Sequence, residues 1–471
     1  LSTYRLIMKL TYRSEIEGLR AIAVGAVILY HAQITIFGHQ PFKVGFIGVD
    51  IFFVISGYLI TSIILKELVT TGSFSFKHFY ERRVRRILPA LLFVMLVSFP
   101  FAWMYLLPNG FVDFSKSILY SLGFSSNFYF HYSGQEYGAD SGLLKPFLHT
   151  WSLSVEEQFY ILFPIVLLVT FRYFRKYLIH ILILGFVISL GLADFGSKNY
   201  PSISFYFLHT RMWELLAGSI LAYLEITKGY RSKNKILNLV LPCIGLFLIG
   251  YSILFFNDDM FHPSFYTLFP IIGVCLIIWY SNKDELITRI LSTKLFVGIG
   301  LISYSLYLWH YPIFAFARIT EFTQGNIFLE IFLGIIILLA SISSYYLVEK
   351  PARNKKFKFK FILSSVIILT FVLVVFNLNV ISNEGYKNRL PNIIKILKKK
   401  PWNLLKSLDG KTCYHNYEAC KFNTSSTKKV YIVGDSHMAT LTLDLHDKVI
   451  EQDYQFITST IGGCLYYPGF D

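Results

Sequence analysis

"EIEGLRAIAVGAVILYHA", residues 15–32, decides how the rest of the chain is read. Its body is Ala, Val, Ile and Leu, yet Glu17 and Arg20 stand at one end and His31 near the other. A membrane span needs roughly 20 mainly apolar residues, and an ionisable group inside one is costly enough to be a functional candidate. Arg20 and His31 are eleven residues apart, which returns them to within about 20° of one helical face and sets them about 16 Å apart along the axis. Glu17 falls on nearly the same stripe. One helix therefore presents a carboxylate and a guanidinium near a surface and an imidazole deeper in. Taken alone, each has a plainer reading: Arg20 reaching back to lipid headgroups, His31 packing against a neighbouring helix.

Working outward, the 471 residues are 54% hydrophobic and 15% charged, with 45 Phe and 32 Tyr. Average soluble domains carry about a quarter charged residues, so the chain reads as an all-α polytopic membrane protein. Eleven spans are expected, near 17–37, 46–65, 87–107, 152–171, 177–194, 211–226, 237–256, 265–282, 296–317, 327–349 and 360–380. The amphipathic stretch 111–132 is placed in an outer loop, as a possible re-entrant segment. No cleavable signal peptide is expected, since the first apolar stretch runs on without a small-residue cleavage site, and no internal repeat and no zinc-type spacing among the 5 Cys stands out. The chain opens on Leu1, and Met8 is the expected start.

The net charge of +15 invites a nucleic-acid reading, but its distribution answers otherwise. With the N-terminus inside, one set of loops holds Lys66, Lys77, Arg82, Arg83, Arg85, Arg86, Arg172, Arg175, Lys176, Lys228, Arg231, Lys233, Lys235, Lys283, Arg289, Lys294 and the basic run 350–360. The other set holds only Lys43, Lys116, Lys145, Lys198 and Arg318. Basic residues collect on the cytoplasmic side of membrane proteins, where they meet anionic lipid. The expected partners are lipid and no nucleic acid, and everything after 380 is expected outside the cytoplasm.

Further polar residues interrupt the apolar segments. "FYERRVRRILPA", 79–90, places Arg82, Arg85 and Arg86 on one face and Arg83 with Arg86 on another. Positive-inside anchoring explains any one of them, while the run as a whole suits phosphate, which Arg grips with two prongs. "HTWSLSVEEQFYILFP", 149–164, sets Glu156 and Glu157 inside a span, one of them facing protein. "RMWELLAG", 211–218, offers an Arg211–Glu214 ion pair. "SYSLYLWHYP", 303–312, puts His310 beside Trp309, where an interfacial role is the simpler reading. Asp50, in "GVDIFFVISGYLI", is another intramembrane acid, and Ser56-Gly57 permits close helix approach.

Together, "EGLRAIAV…H", "GVDIFFVISGYLI", "FYERRVRRILPA", "HTWSLSVEEQFY", "RMWELLAG" and "SYSLYLWHYP" resemble the membrane acyltransferase-3 family, which includes bacterial O-antigen and peptidoglycan O-acetyltransferases. The resemblance covers about residues 12–352. It implies a ten-span membrane domain over 12–352, then a basic loop and eleventh span over 353–380. It implies acetyl-CoA as cytoplasmic donor and a cell-envelope carbohydrate, such as the lipopolysaccharide O-antigen, as acceptor, with no metal, in a bacterial cytoplasmic membrane. The family's Arg and His spaced by eleven fall on Arg20 and His31. Its Arg-x-x-Arg pair falls on Arg83 and Arg86, with Arg82 and Arg85 the alternative frame, and its intramembrane Glu on Glu156. A sugar hydroxyl is a poor nucleophile at neutral pH, and His is the natural base for it. His31 would either deprotonate that hydroxyl or take the acetyl group itself; Arg83 and Arg86 would hold CoA phosphates; Glu156 would orient a polar group or the sugar. A transporter or flippase is the competing class. Such proteins often show paired broken spans, which this chain lacks.

The tail is expected to be a weakly ordered linker over 381–429, in which Cys413 and Cys420 could pair in an oxidising exterior, leaving Cys464 unpaired. "KVYIVGDSHMATL", 429–441, resembles the first block of an SGNH hydrolase, with Ser436 in the nucleophile position at a helix start. A capped helix is the plainer reading. No Asp-x-x-His block follows Ser436, and Gly462 or Gly463 could match a second oxyanion block. The expectation for 430–471 is therefore the truncated start of a small, incomplete α/β domain.

Overall fold

In the computed structural model the described residues are 12–35, 39–136, 141–229, 231–257, 259–283, 285–389, 404–407, 409–416 and 418–461. Met8, Gly462, Gly463 and Cys464 lie outside them. The chain forms two compact units, Leu1–Gly385 and Tyr386–Asp471.

The first unit is helical throughout. Its helices are α1 (Ser14–Ala32), α2 (Ile47–Thr71), α3 (Phe76–Tyr105), α4 (Pro108–Leu122), α5 (Ser126–Ser133), α6 (Thr150–Tyr173), α7 (Leu178–Asn199), α8 (Pro201–Tyr206) and α9 (Leu208–Lys228). There follow α10 (Lys235–Phe255), α11 (Leu268–Tyr280), α12 (Leu286–Leu291), α13 (Lys294–Ile319), α14 (Ile327–Ser344), a π-helical turn over Tyr345–Glu349, α15 (Lys350–Arg353) and α16 (Phe359–Ser382). Local sequence sets the ends. Ser75 caps α3 by accepting from the His78 N–H, Asn234 caps α10 by accepting from Ile236 N–H, and Pro108 opens α4. Gly72 and Gly229, both left-handed, stop α2 and α9, as expected of a residue without a Cβ penalty.

Each of the eleven expected spans contains a helix, but among the described residues seven are long and apolar enough to cross a membrane: those over 47–71, 76–105, 150–173, 175–199, 235–255, 327–353 and 359–382. The others differ for stated reasons. Helices α1, α9 and α13 carry charged residues at their ends or interiors, and α11 is a short apolar helix. The amphipathic stretch 111–132, placed in an outer loop, has helical structure of its own. It folds as α4 and α5, with Phe111, Phe114, Ile118 and Phe130 buried.

Helix α2 is central: 83% of its apolar window is buried, against 22% for α16. It packs along α9, while α1 packs along α13 and α10 along α11. The α2–α9 contact depends on missing side chains. A Cβ on Gly57 would lie 1.8 Å from the Leu215 carbonyl, and one on Gly218 would lie 2.0 Å from the Val54 carbonyl.

The second unit holds a three-stranded sheet of order β1-β3-β2, from β1 (Cys420–Phe422), β2 (Lys429–Gly434) and β3 (Gln455–Thr460), with α17 (Ser436–Glu451) between the last two. Strands β2 and β3 pair in parallel, Val430 opposite Phe456, and β1 runs antiparallel to β3. The crossover through α17 is a βαβ unit. Cys413 and Cys420 form a disulfide, and both are buried with Leu405, Phe422 and Phe456 in a small core. The segment expected to be weakly ordered thus contributes a strand and four of those five core residues.

Candidate functional site

A cavity of about 90 Å³, partly open to solvent, lies between α1, α2, α3, α6 and α13. Three guanidiniums line it: Arg20 from α1, and Arg83 and Arg86 one turn apart on α3. Glu156 from α6, Ser56 from α2 and Tyr160 complete that polar end, and Val49, Phe52, Phe53, Leu59, Ile60 and Ile87 form apolar walls. The Glu156 carboxylate accepts from the hydroxyls of Ser56 and Tyr160. Arg83 stacks over the Tyr160 ring at 5.3 Å, and its buried Nε has no partner among the described residues. Arg20 is held by Glu17 at 2.9 Å. With three cations and one carboxylate in its lining, the cavity attracts anions, and five donors in a planar fork suit phosphate.

Helix rotation separates these arginines from their neighbours. Arg82 is exposed. Arg85 is buried and points elsewhere, its Nε donating to Glu81 at 3.0 Å and its terminal nitrogens to the carbonyls of Ala352 and Phe357 at 3.1 and 3.0 Å. The alternative frame is therefore corrected. Arg82 and Arg85 do not line the cavity, and Arg85 ties α3 to the turn before α16. Of the two adjacent acids, Glu156 reaches the cavity and Glu157 is buried in protein.

His31 does not line the cavity. It belongs to a group of rings at the far side of Tyr307. Its Nδ1 lies 3.1 Å from Nε2 of His310, and its ring meets the Tyr311 edge at 4.7 Å. His149 stacks on Tyr311 and lies 5.5 Å from His310. Tyr307 belongs to both places: it lines the cavity, and its hydroxyl hydrogen-bonds to the His149 carbonyl at 2.9 Å and to Ser152 at 2.6 Å. Arg318 donates to the His31 carbonyl, pinning the end of α1 to α13. His310, read from sequence as interfacial, is fully buried. Nothing in its WHYP context announces a partner 279 residues away. No group of three or more His, Cys, Asp or Glu among the described residues is arranged to hold a metal ion.

A second buried charge group joins residues that sequence reading kept apart. Arg211 donates to Asp50, lies 3.4 Å from Glu214 and 2.8 Å from Nε2 of His262, and sits beneath Phe53, Trp151 and Phe205. Asp50, Arg211 and Glu214 are at most 1% exposed. The expected Arg211–Glu214 pair is present, but Asp50 is the closer partner, which joins α2 to α9.

In the second unit, Ser436 is the first residue of α17, and Asp435 is the cap, accepting from the His437 N–H at 2.9 Å. That bond, together with the one from the His437 ring, holds the Asp435 carboxyl below its ordinary range. His446 bonds Asp447 and packs on Phe422.

No solved structure matches the chain. Among curated proteins, it is 33% identical over 365 residues to "O-acetyltransferase OatA" of Staphylococcus aureus strain NCTC 8325 / PS 47, covering 74% of this chain and 58% of that protein. It is 36% identical over 366 residues to "Putative O-acetyltransferase SAS0844" of S. aureus strain MSSA476, covering 74% of this chain and 59% of the relative. The chain thus spans about three-fifths of the length of these relatives. Residues 13–350, which include the arginine cavity and the histidine group, match the acyltransferase domain, and the chain belongs to that family.

Proposed function

We propose that this multi-pass membrane protein is an O-acetyltransferase, moving an acetyl group from acetyl-CoA to a hydroxyl of a cell-envelope carbohydrate. The observation that carries the reading is the continuity of two polar places through one residue. The arginine cavity suits the phosphates of a CoA ester, and Tyr307 joins it to the group containing His31. In this reading, which the loop charges support, the arginines face the cytoplasm and His31 the exterior of a bacterial cytoplasmic membrane, with the N-terminus inside and the tail outside.

In this reading Arg83 and Arg86, with Arg20, bind the donor by its charge, and the apolar walls exclude water from the thioester. Glu156 orients Ser56 and Tyr160 at the arginine end. His31 is the transfer point, by either of two routes: it takes the proton of the acceptor hydroxyl, or it takes the acetyl group first. The second unit, an SGNH-like fragment in this proposal, is assigned no step. Neither His437 nor His446 stands in the Asp-x-x-His block that an SGNH nucleophile at Ser436 requires.

The test is glycan O-acetylation in cells lacking their own enzyme, complemented with this chain. His31→Ala at equal expression should abolish acetylation and Ser436→Ala should leave it unchanged. Full activity in His31→Ala would overturn the assignment, and loss in Ser436→Ala would move a chemical step to the second unit.

A further inference from the structure

We infer that His310 is a positioning residue that fixes the single N–H of neutral His31 on Nδ1, leaving Nε2 as its reactive lone pair. The inference rests on the reading of His31 as the transfer point. It follows from what each atom in the chain of contacts can do. His310 Nδ1 lies 2.6 Å from the Tyr307 carbonyl oxygen. A carbonyl only accepts, so that nitrogen carries the proton, and a neutral imidazole has only one. Nε2 of His310 is then a bare acceptor. It faces His31 Nδ1 at 3.1 Å, so His31 Nδ1 must donate. The Val27 carbonyl, one turn back along α1, also faces the His31 ring, and it too can only accept.

Both routes left open above need this arrangement. If His31 is the base, the acceptor O–H bond breaks and its proton goes to Nε2. The alkoxide oxygen then bonds to the acetyl carbon, the C–S bond breaks, and the proton leaves with the CoA sulfur. If His31 is the nucleophile, Nε2 bonds to the acetyl carbon as the C–S bond breaks and its electron pair leaves on the CoA thiolate. The acceptor oxygen then bonds to that carbon as the C–N bond breaks, its proton passes to the freed Nε2 and on to the thiolate, and Nδ1 keeps its hydrogen toward His310 throughout. The opposite tautomer would put a hydrogen where the lone pair must be. The partner is also suited to its surroundings. Ring contacts to His31 come from Tyr30, His310 and Tyr311, and no carboxylate among the described residues bonds it. A neutral imidazole anchored to a backbone carbonyl orients His31 without burying a second charge, which would be costly in this setting.

The experiment uses the full chain in membranes of cells that make the native envelope glycan, with CoA release from added acetyl-CoA as the readout. His310→Leu should lower kcat on the order of 100-fold, the scale of losing an orienting partner or the right tautomer, with KM for acetyl-CoA within about twofold. His310→Gln, whose amide oxygen can stand in for Nε2 as acceptor, should recover at least a tenth of the wild-type rate. Nitrogen NMR of histidine-labelled wild-type protein, with His31 assigned by its loss in His31→Ala, should show a protonated Nδ1 and a bare Nε2. This arm needs no fold-disrupting variant. A bare Nδ1 on His31, or a Gln variant as inactive as Leu at equal folded amount, overturns the inference. Full activity in His310→Leu beside a silent His31→Ala does the same. An active His31→Ala instead refutes the underlying functional reading.

Discussion

Arg83 and Arg85 are two residues apart on one helix, and the turn between them divides their work. Arg83, with Arg86, faces the cavity, while Arg85 is spent on two backbone carbonyls. Substitution should separate the roles. Arg83→Ala or Arg86→Ala should raise KM for acetyl-CoA about 10–100-fold, the loss of one charged hydrogen-bonding group at 1.5–3 kcal/mol, with thermal stability unchanged. Arg85→Ala should leave that KM alone and lower the melting temperature in detergent, because two carbonyls lose their donor; a cost of about 1–3 kcal/mol is expected. Steady-state kinetics beside a melting curve reads both. If Arg85→Ala changed KM as Arg83→Ala does, the assignment of the cavity frame would be wrong. At this scale the family resemblance pointed to Arg20, Arg83, Arg86 and Glu156, which line the cavity, and to His31, which lies outside its lining. The sequence flagged His310, Asp50 and Arg211 but not their partners, and it did not single out Tyr307. Those contacts join residues 155 to 279 positions apart, and the period of one helix says nothing about which helix it meets.

Between elements, α2 and α9 approach as closely as backbones allow, through Gly57 and Gly218. Polar groups then lock what the glycines admit: Thr61 donates to Ser219 at 2.8 Å and Arg211 to Asp50. Small residues at such crossings let packing and short hydrogen bonds hold helices where lipid gives no hydrophobic drive. Gly57→Val should therefore force the pair apart, at a cost of about 1–3 kcal/mol or more, and lower the detergent melting temperature. Gly250→Ala, at a position with nothing within 4 Å of the added carbon, should not. Equal melting curves for the two would mean that the α2–α9 crossing yields easily. The Ser56-Gly57 pair was readable as a close-approach site, but its partner was not. The amphipathic character of 111–132 was readable, and α4 and α5 there bury Phe111, Phe114 and Phe130, but which helices cover those rings was not.

The whole molecule divides at Gly385. The first unit's helices and the second unit's disulfide-bearing sheet have separate cores. Residues 1–385 expressed alone should keep the melting temperature and the acetyl-CoA affinity of the full chain; loss of either would show that the second unit supports the first. Seven of the expected spans were readable as long apolar runs, whereas β3 was not, since six residues of "QFITST" carry little pattern until β2 pairs with them. The position of Tyr307 has a further consequence, for permeability. Tyr307 lines the cationic cavity and bonds the backbone of the buried histidine group, so its phenol separates one polar place from the other. An enzyme built this way would also have to be a seal. Tyr307→Ala in sealed vesicles should collapse a pH gradient several-fold faster than the wild-type chain, a leak measurable without donor or acceptor. An unchanged gradient would place the barrier in the apolar walls instead.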